Sequence, residues 1–427
     1  MTLIKTSVLN AIAVAIRVLS SIVLNKIVAI YVGPSGYALI GQFQNLVTML
    51  TTFANGGMNT GVTKGTAEHY DDPERQHRLW RTAGTVTVAS ASFVGLCIIV
   101  FSATISRRVL NDERFGGVFV WLALSLVLIA LNGLLLAILN GKKQITLFVT
   151  INIVGSLVGL AVTGVLTILF GLKGALIALS VNQALVFFVS VFACLSQPWF
   201  RVSMLLGAID GRALRELLKF TVMTLTSAIV VPLTQILIRN HLIERFGMAS
   251  AGYWEALSRI SGLYLTVITV PLSIYYLPRL AEIRSAGEMR REILSGYRII
   301  LPVTIVGAVT IYVLRDIIIG MLFTRDFVPM RALFGWQVAG DVFKISGWLF
   351  GYVLIARGMA KSFITTEIAF GALWYGLVLV LTRTYGLVGS QIAYALNYLV
   401  YSAVLLVLLA FNFKRWNDHE GPASRRI

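Results

Sequence analysis

Long apolar runs follow one another along nearly the whole chain, each broken by a short charged or glycine-bearing segment. A helix needs about 20 largely apolar residues to cross the hydrocarbon core of a bilayer. Runs of that length lie at 7–31, 35–57, 80–105, 117–139, 145–170 and 174–195, and again at 219–243, 251–277, 293–314, 332–356, 362–382 and 387–411. The pattern predicts an all-α polytopic membrane protein with 12 transmembrane helices. The connections are short throughout, so no soluble domain is expected.

Composition agrees. Of 427 residues, 57% are hydrophobic and 13% charged, where soluble proteins carry about 25% charged residues to solvate their surface. The net charge of +17 does not point to nucleic acid, because the basic residues sit in short segments between apolar runs and not on one folded face. Cys97 and Cys194 lie inside apolar runs without a CxxC partner, and His69, His77, His241 and His419 form no metal-ligand spacing, so neither a metal site nor a cofactor is expected. The apolar run after Lys5 is too long for a signal peptide and carries Arg17 and Lys26; it is expected to be retained as the first span.

Lys and Arg are divided unequally between the two sets of connections. One side holds Lys5, Lys64, Arg75, Arg78, Arg81, Lys142, Lys143, Arg201, Arg212, Arg215 and Lys219. Arg279, Arg284, Arg290, Arg291, Arg357, Lys361, Lys414, Arg415, Arg425 and Arg426 complete it, 21 in all, against nine on the other side. Cytoplasmic loops carry the excess, which predicts an inner-membrane protein with both termini cytoplasmic.

The chain also repeats itself. The stretch from Phe170 to Asn182 aligns with that from Tyr385 to Asn397, matching Gly171 with Gly386, Gly174 with Gly389, Ala178 with Ala393 and Asn182 with Asn397. Gly33 and Gly247 close spans one and seven, and Gly141 and Gly358 follow spans four and ten. The expected organisation is two pseudo-symmetric six-helix lobes, 1–200 and 219–427, joined by a cytoplasmic linker at 201–218. A six-helix repeat places both halves in the same orientation, an arrangement used for alternating access. Asp210 can cap a short helix whose Leu214, Leu217 and Leu218 would lie on the bilayer surface; an ordinary loop is the alternative.

Ionisable residues within spans are costly unless they face protein or water. Six are basic (Arg17, Lys26, Arg239, Arg259, Arg298 and Lys344) and three acidic (Glu255, Asp341 and Glu367). Surplus positive charge suits an anionic substrate, since Arg and Lys hold phosphate oxygens. Arg17 lies mid-span, whereas Lys26 and Arg239 either face a cavity or snorkel to the headgroups. Arg17 and Lys26 are nine residues apart, about 180° around a helix, so both cannot point straight into one cavity. Glu255 and Arg259 are spaced i,i+4, and Asp341 and Lys344 i,i+3, so each pair can meet on a helix face. Either pair could be structural. Asp341, Glu367 and Glu255 are the candidate coupling carboxylates, and Lys64 could receive a phosphate at the inner mouth.

Local sequences narrow the field. Val32-Gly33-Pro34-Ser35-Gly36 follows span one, and Asn59 to Lys64 follows span two. The longest stretch runs from Arg315-Asp316 through Asp326 to Arg331 and Trp336 to Lys344, then Phe350 to Tyr352 and Ala356. With these the chain resembles the Wzx-type flippases of the multidrug/oligosaccharidyl-lipid/polysaccharide (MOP) exporter superfamily, most nearly the branch handling enterobacterial common antigen lipid III and O-antigen units. The resemblance implies a V-shaped pair of lobes with spans one, two, seven and eight lining a cavity. It implies a substrate built on undecaprenyl pyrophosphate, moved from the cytoplasmic to the periplasmic leaflet. Arg17, Lys26, Lys64, Arg239, Asp341 and Lys344 fall within matching segments; Glu255 and Arg259 do not.

The expected function is therefore a lipid-linked oligosaccharide flippase, with substrate contacts from Arg17, Lys26, Lys64, Arg239, Arg259, Arg298 and Lys344. Its expected partners are that substrate, inner-membrane lipids, and the polymerase and chain-length regulator of the same pathway. A drug/cation antiporter of the same superfamily is the alternative within transport and would favour an acidic interior. A glycan polymerase or ligase would need a long periplasmic loop, and the longest outer connection, roughly 315–331, is short and apolar.

Overall fold

The computed structural model describes residues 3–110, 112–272, 276–283 and 285–419. Arg284, Arg425 and Arg426 lie outside the described residues, as do the side chains of Lys5, Lys219, Lys414 and Arg415. Fourteen α-helices and several short 3-10 turns are described, with no strand among the described residues. In order they are α1 (Leu3–Ala54), α2 (Asn59–Glu68), α3 (Pro73–Val100), α4 (Ser102–Leu110), α5 (Gly116–Gly141), α6 (Ile145–Leu195) and α7 (Gly211–Phe246). Then come α8 (Met248–Pro271), α9 (Leu277–Glu282), α10 (Ala286–Val313), α11 (Arg315–Leu322), α12 (Phe334–Ala356), α13 (Ala360–Tyr385) and α14 (Gly389–His419). Seven helical runs among the described residues are long and apolar enough to cross a membrane, as the hydropathy pattern requires of an all-α membrane fold.

Two of these helices are far too long for one crossing. α1 has 52 residues and α6 has 51, about 77 Å each at 1.5 Å per residue, against ~30 Å of hydrocarbon. Each breaks at a single glycine with positive φ: Gly33 (φ 69°, ψ −177°) and Gly171 (φ 55°, ψ −134°). The chain folds back there. Tyr37 donates to the Asn25 carbonyl at 2.9 Å across 12 residues, a separation that a straight helix would stretch to about 18 Å. At the second fold, a Cβ on Gly174 would stand 1.8 Å from the Leu166 carbonyl oxygen, so only glycine lets the two arms approach.

The contacts divide the chain into two units: residues 1–236 with Leu322–Thr324, and residues 237–321 with 325–427. In the first, α1 and α5 pack on α6, and α3 packs on α5, around a core that includes Trp80, Leu135, Ile138 and Leu217. In the second, α14 packs on α12 and α13, and α10 packs on α12, around Leu280, Met289, Leu349 and Leu354.

The internal repeat is written in the backbone. Gly247, between α7 and α8, has φ 84° and ψ 166°, close to Gly33. Gly386, between α13 and α14, has φ 61° and ψ −147°, close to Gly171. A Cβ on Gly389 would stand 2.2 Å from the Leu381 carbonyl oxygen, the same approach that Gly174 makes. After α5, the amides of Lys142, Lys143 and Gln144 donate to Ile138, Asn140 and Leu139; after α12, those of Arg357, Gly358 and Met359 donate to Val353, Ile355 and Leu354. Each of these three hydrogen bonds has its counterpart 215 residues on. The match corrects one landmark. Gly358 (φ 62°) corresponds to Lys143 (φ 56°) and not to Gly141. Gly141 is held instead by close packing, its Cβ position lying 2.6 Å from the Thr63 carbonyl oxygen.

Candidate functional site

The second unit carries two buried polar clusters inside its helical core. The first joins α7 to α8. Arg239 is 1% exposed, its Nη2 donates to Glu255 Oε2, and its guanidinium lies 5.3 Å from the centre of the Trp254 ring. Glu255 Oε1 accepts from Arg259 Nε at 2.9 Å. The i,i+4 spacing on α8 delivers the Glu255–Arg259 contact, and α7 supplies the second guanidinium. One carboxylate thus serves two guanidinium groups, that of Arg239 buried and that of Arg259 about a quarter exposed.

The second cluster centres on Asp341 of α12, which is fully buried. Its Oδ1 accepts from Tyr394 Oη at 2.7 Å and Gln337 Nε2 at 3.1 Å. Its Oδ2 accepts from Tyr264 Oη at 2.7 Å and from Ser261 Oγ. Gln337 Nε2 also reaches Ser261 Oγ at 3.0 Å. Two donors on each oxygen use the acceptor capacity of an ionised carboxylate, and they tie α8, α12 and α14 together. Gly340 makes room, since a Cβ there would stand 2.3 Å from the Tyr394 ring.

Asp341 and Lys344 do not form the ion pair that their spacing allows. Lys344, half-buried, instead lies among three rings, its Nζ 5.1 Å from the centre of Trp348, 5.4 Å from Tyr398 and 5.8 Å from Tyr394. Ring faces attract a cation at these distances. The physical reason for the difference is that hydroxyl donors from α8 and α14 saturate the carboxylate before the ammonium can reach it.

The remaining candidates lie elsewhere. Lys26, half-buried, donates to the Phe323 carbonyl at 2.6 Å, beside the Tyr37–Phe323 ring contact. Arg17 and Arg298 are exposed and make no hydrogen bond or ion pair with a described residue. Lys64 is exposed, 3.5 Å from Glu68. Glu367 is half-buried without a hydrogen bond or ion pair to a described residue.

Seven participants were not singled out by sequence: Trp254, Ser261, Tyr264, Gln337, Trp348, Tyr394 and Tyr398. Part of the signal was local, since Gln337 and Trp348 stand four residues from Asp341 and Lys344 on their helix. The tyrosines at 394, 398 and 401 also share one face of α14. The rest depends on which helices meet.

Residues 27–332 match the family model described as polysaccharide biosynthesis protein. The chain belongs to this family. It is 30% identical over 401 residues to the lipid III flippases of Escherichia coli (strain K12) and Shigella flexneri, covering 94% of this chain and 96% of each relative. Its fold is that of the MOP superfamily. An inward-facing multidrug resistance MATE family transporter of that superfamily superposes with a TM-score of 0.78 at 13% identity, over 94% of this chain and 96% of that one. The lipid II flippase MurJ in an inward closed conformation superposes with a TM-score of 0.73 at 15% identity, over 95% and 87%. This family member is a multi-pass membrane protein.

Proposed function

We propose that the chain is a transporter, not an enzyme, and that it flips an undecaprenyl-pyrophosphate-linked oligosaccharide from the cytoplasmic to the periplasmic leaflet of a bacterial inner membrane. The observation that carries this reading is the end-to-end relation to two lipid III flippases, 30% identity over 94% of the chain. In this reading α1, α6 and the α13–α14 run each cross twice by folding at their glycines, and α7 and α8 count as crossings, for twelve spans in two six-helix lobes; the excess of Lys and Arg on one side supports cytoplasmic termini. Alternating access between the lobes would move the head group, while the polyprenyl tail stays in lipid.

The charged residues take roles consistent with this. Arg17, exposed and unpaired among the described residues, holds pyrophosphate oxygens, and Lys64, Lys26 and Arg298 meet the head group at other stages of its passage. The surplus cation of the Arg239–Glu255–Arg259 cluster adds positive potential, and Lys344 steadies the aromatic floor. Glu255, engaged by two guanidinium groups, anchors its cluster and is a poor proton carrier. Asp341 is the better coupling group, because a proton on either oxygen finds a hydroxyl of Ser261, Tyr264 or Tyr394 able to turn and accept it. Glu367 is the second candidate. The polymerase and chain-length regulator of the same pathway are its expected neighbours.

The test is complementation. Expressed in an Escherichia coli strain lacking its lipid III flippase, the wild-type chain restores surface glycan, and Arg17→Ala does not, although it reaches the membrane in equal amount. Glycan absent with abundant wild-type protein in the membrane would overturn the reading.

A further inference from the structure

A cavity of about 700 Å³ opens in the first unit where α3 and α7 begin. Four arginines line it in two pairs. Arg75 and Arg78 stand i,i+3 on the first turns of α3, and Arg212 and Arg215 i,i+3 on the first turn of α7, a spacing that puts each pair on one helix face. Three carboxylates lie nearby, none within ion-pair distance of Arg78, Arg212 or Arg215. Asp210 Oδ1 accepts the backbone N–H groups of Arg212 (2.8 Å) and Ala213 (3.0 Å) as the cap of α7. Those amides hold its pKa below the usual carboxylate value, so it stays an anionic cap at neutral pH. Glu216 lies 3.6 Å from His69, and Asp72 lies 3.2 Å from Arg75. The side chains of Arg78, Arg212 and Arg215 make no hydrogen bond or ion pair with a described residue.

The walls are fixed with respect to each other. The Asp210 amide donates to Thr82 Oγ1 at 3.0 Å, and Thr85 Oγ1 donates to the Gly207 carbonyl at 2.9 Å, so the segment before α7 is laced to α3. That segment presents apolar side chains outward: Val202, Leu206 and Ile209 are each more than half exposed. Such a surface belongs in the headgroup region of a bilayer, which puts the arginines at the depth of lipid phosphates.

We propose that this cleft is the loading site for the diphosphate of a membrane-borne polyprenyl lipid, held by the forks of Arg78, Arg212 and Arg215 before the lipid enters the transport path. The proposal rests on the flippase reading for its substrate. Its chemistry rests on four arginines against the carboxylates of Asp210 and Glu216 in one cleft, three of them without a hydrogen bond or ion pair to a described residue, which match a multivalent phosphate better than a single carboxylate.

The experiment uses full-length protein in nanodiscs of neutral lipid, titrated calorimetrically with inorganic pyrophosphate. Wild type binds with an affinity that falls with salt. The triple variant Arg78→Gln/Arg212→Gln/Arg215→Gln, shown to be folded by an unchanged melting midpoint, binds at least about tenfold more weakly. Equal affinity in the two, or no binding in wild type, overturns the site. Nanodiscs containing phosphatidylglycerol form the second arm; if that lipid displaces pyrophosphate, the cleft holds bulk lipid head groups and the loading role is overturned. In a flipping assay the triple variant needs more substrate for half-maximal rate and keeps its maximal rate. An unchanged half-saturation also overturns loading. If wild type itself flips nothing, the flippase reading falls, while the pyrophosphate titration still decides the cleft.

Discussion

Arg239 shows what one buried charge demands. At 1% exposure it has no water to fall back on, and Glu255 with the Trp254 ring takes the place of a hydration shell. Removing one partner of such a pair leaves the other charge stranded, at a cost of about 3–5 kcal/mol. Glu255→Gln is therefore expected to lower the thermal unfolding midpoint of purified protein sharply. Arg239→Met combined with Glu255→Leu recovers most of the loss, because Arg259, about a quarter exposed, can reach solvent by itself. A Glu255→Gln protein that melts with wild type would show that Arg239 is neutralised by something else. At this scale the sequence was half legible. The Glu255–Arg259 contact follows from i,i+4 spacing alone. Arg239 could be seen as costly, but its counter-ion lies on another helix. The same blindness misplaced Asp341, whose neighbour at i+3 is a cation and three of whose four partners come from α8 and α14.

At the scale of elements, glycines carry the architecture. Gly33, Gly171, Gly247 and Gly386 take positive φ where one helix gives way to the next, and their spacing made the repeat visible before any coordinates. The third landmark was mispaired for a physical reason. The turn after α5 needs a left-handed residue just as the turn after α12 does, but Lys143 fills it, and a lysine carries no sign of its φ in the sequence. The two turns thus offer a matched experiment. Gly358 has open space around its Cβ position, so Gly358→Ala costs only the backbone penalty, about 1–2 kcal/mol. Lys143→Gly removes that penalty and gives up a cation–ring contact with Tyr70 at 5.7 Å, worth ~0.5–1 kcal/mol. Its unfolding midpoint should stay near wild type while that of Gly358→Ala drops. Equal losses in both would mean that the two turns are not equivalent.

For the whole molecule, orientation is the property that charge distribution speaks to most directly. Single-cysteine variants in intact cells, probed with an impermeant thiol reagent, are expected to label at Arg325→Cys and to remain unlabelled at Lys142→Cys and Arg215→Cys until the membrane is opened. Labelling of Lys142→Cys from outside would invert the topology and move the arginine cleft to the other face. Asn111, a natural choice for the outer side, lies outside the described residues. Hydropathy made the fold class readable, because it is a sum over many residues; the charge bias is a sum of the same kind, and the labelling experiment decides the orientation it predicts. The pairing of particular helices was not readable, because it depends on a few contacts distant in sequence.

The fold at Gly171 has a consequence for how the chain is made. α6 emerges during synthesis as 51 residues whose one charged member is Lys173, so no polar stretch holds its second arm in water while the first enters the membrane. The two arms must partition together as a hairpin, drawing Lys173 across the hydrocarbon at the tip. A charge at mid-bilayer is costly, and in a hairpin that cost is met while 35 hydrophobic residues enter alongside it. Biogenesis of this protein is thus expected to proceed in pairs of spans, with the glycine folds as the units of entry.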